Sequence, residues 1–231
     1  SISSTLLWNE KSSTTSADLQ NILLLTADHL RPDRIGCYGF SKAHTENIDL
    51  LAREGLVFET CVASSTLTAP AYASILCGAY PCTHGLRNPY DSLLSKSLST
   101  ILRERGYRTA AFIGDSRLGT GLRAGFDSFS KRTRHGAWKK VAARNAAGIV
   151  RPMLLGLWWV RRATAWIRKN YRSTFFVWGN FSETRPGSEN WPLAKGKINR
   201  DSDAVFGYYD AKIGLFDTVL GELRRTLEDL K

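Results

Sequence analysis

Hydrophobic residues in this chain fall into short dense runs separated by stretches of helical period. Asn21-Ile22-Leu23-Leu24-Leu25-Thr26 is a continuous apolar run ending in a polar loop, the pattern of a buried strand in a parallel sheet. Its end delivers Ala27-Asp28-His29-Leu30-Arg31-Pro32-Asp33, and ligands of open α/β sheets bind just beyond strand carboxyl ends. Glu46 to Glu54 carries Ile48, Leu51 and Ala52 at helical spacing, with Gly55 as a natural stop. Val57 and Phe58 open a short extended piece. Ser97 to Arg105 reads as a helix stopped by Gly106, and Arg108 to Ile113 as a strand. Thr174 to Phe181 reads as a further strand, dense enough in Phe, Val and Trp to be buried. Ala204 to Leu230 has the 3.6-residue period of an amphipathic helix, with Tyr208, Ala211, Leu215, Val219, Leu223 and Leu227 along one face. The order strand, helix, strand, helix, strand predicts an α/β fold with a mainly parallel central sheet flanked by helices.

One turn stands out between these elements. Thr66-Leu67-Thr68-Ala69-Pro70-Ala71-Tyr72-Ala73-Ser74 sets a hydroxyl residue two places before a proline, with small and apolar residues following. Proline is favoured at the first helical position, where its missing N–H would lack a partner anyway. Thr68 is therefore expected at a helix N-terminus, where orphan N–H groups and the helix dipole favour negative charge. Two roles are open to it there: an N-cap, or a nucleophile presented to an anionic ester.

Composition narrows the class. A chain of 231 residues, 43% hydrophobic, is long enough to bury a sizeable core and is globular in character. The net charge of +11 is local: residues 131–172 hold twelve Lys or Arg and no Asp or Glu, leaving twenty basic and twenty-one acidic residues elsewhere. That segment reads as a basic helical insertion. Within it, residues 150–162 mix arginine with apolar residues on one arc, which favours a locally packed helix with arginines reaching outward over a segregated surface helix. An anionic membrane surface is a candidate partner of this segment; nucleic acid is not expected, because no recognition motif accompanies the charge.

The four cysteines, Cys37, Cys61, Cys77 and Cys82, lack metal-binding spacing and read as buried free thiols. With no signal-like or membrane-crossing run, this favours a cytoplasmic setting. Residues 1–20 read as a flexible lead-in, and residues 21–231 as the folded domain. The long polar loop 182–203, with two prolines, is of the kind that lines sites.

Several blocks in order resemble the N-terminal portion of sulfatases and related enzymes of the alkaline phosphatase superfamily. They are Asn21 to Asp33 with Gly36-Cys37-Tyr38-Gly39; Asn47 to Phe58; Gly78-Ala79-Tyr80-Pro81 with His84-Gly85; Leu102 to Ala110; Phe175 to Phe181; and the helix from Tyr209 to Leu230. The resemblance implies a divalent metal (Zn, Mn or Ca) bound by Asp28 at the first strand end, with Thr68 at the nucleophile position and itself a metal ligand. Many sulfatases follow the first Asp with a second; here His29 stands there, a candidate ligand better suited to zinc than to calcium.

Sulfatases mature a Cys or Ser to formylglycine within Cys/Ser-x-Pro-x-Arg. Thr68-Ala69-Pro70-Ala71-Tyr72 keeps the proline but lacks both the modifiable residue and the arginine. Threonine cannot become an aldehyde hydrate, and it is similar to the nucleophile of the superfamily's phosphodiesterases and phosphotransferases. The resemblance therefore favours phosphate over sulfate esters as small-molecule substrates, by attack of Thr68 on phosphorus and later hydrolysis of the phosphothreonine. Where sulfatases often show Gly-Lys-x-His-Leu-Gly, this chain reads Gly114-Asp115-Ser116-Arg117-Leu118-Gly119, and a family His aligns with Arg185. Arg117, Arg185 and Tyr72 are the candidate ester contacts. The superfamily's later Asp-His-Gly strand does not occur before Lys231, so the domain reads as incomplete at its C-terminus. The rival reading is a truncated or degenerate non-catalytic module that acts by binding.

Overall fold

The structure, a computed structural model, describes residues 19–114, 118, 120–131, 150–182, 184 and 203–230. Most of the lead-in, residues 132–149 of the basic segment, Arg117, Arg185 and most of the 182–203 loop lie outside the described residues. Its strands are β1 (Ile22–Ala27), β2 (Arg108–Ile113), β3 (Ser128–Lys131) and β4 (Phe175–Phe181). They form a four-stranded sheet in the order β1-β4-β2-β3, and every pairing is parallel. The α/β reading holds, and β4, last in sequence, lies between β1 and β2. β3 was not expected; only Phe129 in Ser128–Lys131 is a strong apolar residue, too weak a signal for a strand.

Both sheet faces are covered. On one, Phe176 and Trp178 of β4 and Ala111 and Ile113 of β2 pack with α2 (Thr68–Cys77) and α4 (Leu98–Glu104) through Ala69, Tyr72, Ala73, Leu76 and Leu102. On the other, Phe175, Val177 and Phe181 alternate with that set and meet α5 (Val150–Asn170) and α6 (Asp203–Glu228). Alternation with both faces buried is why Phe175 to Trp178 of β4 reads as an unbroken apolar run. Gly179 leaves the room that the Trp159 ring of α5 occupies, since a Cβ there would stand 2.6 Å from Trp159 Cζ3. α5 is a packed helix: Trp159, Val160, Ala163 and Ile167 are buried while Arg161, Arg162, Arg168 and Lys169 are exposed. Among the described residues no helix is long and apolar enough to cross a membrane.

The predicted face of α6 is packed: Val219 and Leu223 are fully buried, and Tyr208, Leu215 and Leu227 are half-buried against the core. Ala211 is the one exposed member, and Tyr209, Ile213, Phe216 and Leu220 widen the buried stripe. Two expectations change. Val57 and Phe58 form no strand and are exposed, with Phe58 O accepting from the Tyr38 hydroxyl at 3.0 Å. The cysteines are free but not buried: Cys37, Cys61 and Cys82 are exposed and Cys77 is half-buried.

Helix α1 (Glu46–Glu54) is capped from a distance. Thr45 makes no capping bond with its side chain. Asp217 of α6 instead accepts from Ile48 N at 2.8 Å, Asn47 N at 3.2 Å and Asn47 Nδ2 at 2.7 Å. These are first-turn donors with no partner inside the helix. Asp217→Ala leaves these half-buried donors without their acceptor, and urea denaturation should register a loss of about 1 kcal/mol, with Asp217→Asn losing less. Burial pushes the half-buried Cys77 thiol up. Iodoacetamide should therefore alkylate Cys77 more slowly than exposed Cys61 and Cys82, as mapped by mass spectrometry.

Candidate active site

β1 and β4 run parallel in the register Thr26↔Asn180 and Ala27↔Phe181, so both deliver polar residues to the same sheet edge. Asp28 follows β1 directly and is buried, at 4% exposure. Its backbone is held first: Asp28 N donates to Phe181 O at 2.9 Å, and the Thr184 hydroxyl donates to Asp28 O. Its carboxylate is held next. Tyr72 of α2 donates its hydroxyl to Asp28 Oδ1, and Asn180 Nδ2 lies 3.3 Å from the same oxygen. Asn180 Nδ2 also donates to the Tyr72 oxygen at 2.9 Å and approaches Thr26 Oγ1 at 3.3 Å. Three oxygens around one nitrogen assign it as the amide NH₂. Tyr72 packs edge-on against Trp178, with ring centroids 5.5 Å apart.

The loop after β1 turns sharply. His29 adopts a φ of 55°, an uncommon conformation for a residue other than glycine. α6 buttresses this turn: the Tyr209 hydroxyl donates to His29 O at 2.6 Å and accepts from Arg31 N at 2.9 Å. Burial pushes the Tyr209 phenol up, which keeps its proton in place. One turn further, Arg34 pairs with Asp210 of α6, its Nε 2.8 Å from Asp210 Oδ1.

Thr68 is the first residue of α2, preceded by Leu67 in extended conformation as the cap residue. The N-cap role is thus not Thr68's. The first helical bond runs from Ala71 N to Leu67 O at 3.0 Å, and Pro70 falls in the third helical position, where it still sacrifices no bond. Gly78 closes the helix in the left-handed region, its N–H on Ser74 O at 2.9 Å. Thr68 and Tyr72 stand one turn apart on the same helix face, about 5–6 Å between Cβ atoms. Half-buried Thr68 therefore stands one helical turn from the residue that binds Asp28.

Of the predicted residues, Asp28 and Tyr72 are in direct contact, Thr68 lies one turn away, and His29 is adjacent to Asp28 with an exposed side chain. Arg117 and Arg185 are outside the described residues. Asn180 and Thr184 were missed. An asparagine inside an apolar strand was the available signal, since a buried amide needs partners. His84, at the end of the short helix α3 (Pro81–His84), is buried: its Nδ1 accepts from Leu86 N at 3.1 Å, so Nε2–H faces Ser74 Oγ at 2.9 Å.

A buried carboxylate at a strand end suits a hard divalent cation. Among the described residues no group of three or more His, Cys, Asp or Glu side chains could hold an ion. Asp28 therefore fits as one ligand of such a cation, not as a complete cage.

Comparison with known proteins identifies the family and the fold. The sequence model of the family described as Sulfatase matches residues 20–231. Mouse steryl-sulfatase is 34% identical over 129 residues, covering 50% of this chain and 20% of that protein. Human iduronate 2-sulfatase is 36% identical over 108 residues, covering 45% and 20%. The chain thus spans about a fifth of the length of these curated relatives. Among solved structures, the phosphonate monoester hydrolase of Agrobacterium radiobacter superposes with a TM-score of 0.70 at 17% identity, covering 91% of this chain and 59% of that one. The C-terminal periplasmic domain of EcEptC from Escherichia coli, solved in complex with Zn, gives 0.59 at 15% identity, covering 91% and 60%. A family match over residues 20–231, nearly the whole chain, assigns the protein: it belongs to the sulfatase family.

Proposed function

We propose that the protein is a metal-dependent hydrolase or transferase of phosphate or sulfate esters, with Thr68 as nucleophile, Asp28 as a metal ligand, and phosphate favoured. One observation carries the reading. The Tyr72–Asp28 hydrogen bond ties the start of α2 to the end of β1, so the helix that begins at Thr68 opens beside the buried carboxylate. The helix start offers N–H groups and a positive dipole end to the ester's anionic oxygens. The Thr68 oxygen bonds to phosphorus as the bond to the alcohol leaving group breaks, and the threonine proton leaves with that alcohol. Water then opens the phosphothreonine and restores the hydroxyl. A divalent cation (Zn, Mn or Ca), when bound, would supply Lewis-acid polarisation of the ester, with Asp28 and Thr68 as ligands and His29 as a further candidate. Arg117 and Arg185 are proposed cationic contacts to the ester, and Tyr72, buried under Asp28, acts as a contact only through it. The binding-module reading has one observation in its favour, the lack of a three-ligand cluster among the described residues.

In the full-length protein, Thr68→Ala should lower turnover of nitrophenyl phosphate mono- and diesters by about a thousandfold or more; retained activity would remove Thr68 from the chemistry. His29→Gly separates ligand from loop. Relief of the left-handed conformation offsets the added freedom of the unfolded chain, so stability should change by less than about 1 kcal/mol. A ligand role requires zinc affinity, measured by calorimetry, to fall all the same.

A further inference from the structure

We infer that Tyr72 and Asn180 are positioning residues that set the rotation of the Asp28 carboxylate, and thereby the direction in which it offers its lone pairs to a divalent cation. This rests on the reading of Asp28 as a ligand. The geometry is directional. The Asn180 amide can only donate through Nδ2, so the Tyr72 oxygen accepts from it at 2.9 Å and the phenol proton is left to point at Asp28 Oδ1. The same Nδ2 lies 3.3 Å from Oδ1 itself and 3.3 Å from Thr26 Oγ1, which also accepts from Trp178 Nε1 at 3.1 Å. Donors from α2 and β4 thus converge on one carboxylate oxygen, and a phenol bound to a carboxylate makes its strongest bond when the carboxylate is ionised.

Each holder is itself immobile. Tyr72 is 7% exposed and wedged edge-on against Trp178, and Asn180 is fully buried in the central strand. The backbone of Asp28 is gripped separately by Phe181 O and the Thr184 hydroxyl, so the Tyr72–Asn180 pair acts on the rotation of the side chain. Both holders are neutral. At the position where the resembled pattern has arginine, this chain supplies a hydrogen bond without a positive charge. Outer groups that orient a metal's carboxylate ligand commonly control about ten- to a hundredfold of its affinity.

The test is calorimetric titration of Mn²⁺ and Zn²⁺ into the full-length protein, with thermal midpoints recorded with and without the cation. Tyr72→Phe removes only the hydroxyl and should weaken the cation by about ten- to a hundredfold, shrinking the cation-induced rise in midpoint. Asn180→Leu should do the same, and the double variant should fall short of the product of the two, because both act through one carboxylate. Asp28→Asn is the control. If Asp28→Asn weakens binding while Tyr72→Phe only lowers the midpoint equally with and without cation, the residues are structural and the inference is overturned alone. If the parent takes no cation, or Asp28→Asn binds as tightly as the parent, the ligand reading falls and the inference with it.

Discussion

Burial of the Asp28 carboxylate is the constraint from which the rest of this site follows. A carboxylate removed from water costs several kcal/mol unless charge-assisted hydrogen bonds replace its hydration. Those bonds come from Tyr72 on α2 and Asn180 on β4, with Thr184 and Phe181 holding the backbone. The donors sit on separate elements, so satisfying one side chain fixes how the first strand, the central strand and the helix that begins at Thr68 meet. The parallel register Thr26↔Asn180 is what makes this possible. Sliding β4 by one residue would turn Asn180 to the opposite face of the sheet, among Val177 and Phe181.

The long helix α6 acts as a clamp on the loops at this edge. Tyr209 holds the turn at His29 and Arg31, Asp210 pairs with Arg34, and Asp217 caps α1. The first two contacts lie within one turn, and the third about two turns further along the helix. Tyr209 and Asp217 are buried alongside the apolar residues Ile213, Phe216, Val219, Leu220 and Leu223, so one helix face carries both the anchors and the packing. The result is a loop after β1 that adopts a left-handed residue without glycine, held by contacts from outside the loop.

Much of this was legible from residue pattern. The helix 46–54 and the strand 108–113 fall where period and glycine stops put them, because local propensity and burial point the same way there. The candidate pair Asp28 and Thr68 came from a family resemblance, which the match to the sulfatase family over residues 20–231 supports for the fold. Strand β3 and the exposed cysteines were not legible. β3 borrows its hydrogen bonds from β2 and carries little apolar signal of its own. Cys61 lies in a loop, and Cys37 and Cys82 in one-turn helices, where composition says nothing about cover.

Determined by sequence alone, then, are the α/β class, most of the strand and helix runs, and the local nature of the positive charge. Each is set by period, propensity or simple counting within a few residues. Tertiary structure decided that Tyr72, first a candidate ester contact, binds Asp28, that Asn180 and Thr184 complete the grip, and that Leu67 rather than Thr68 precedes the helix as its cap residue. Those outcomes depend on pairing residues up to 156 positions apart, and only the sheet order β1-β4-β2-β3 brings them together. A hydrogen bond between distant residues leaves no period in the chain; it exists only once a parallel sheet has aligned the ends of its strands.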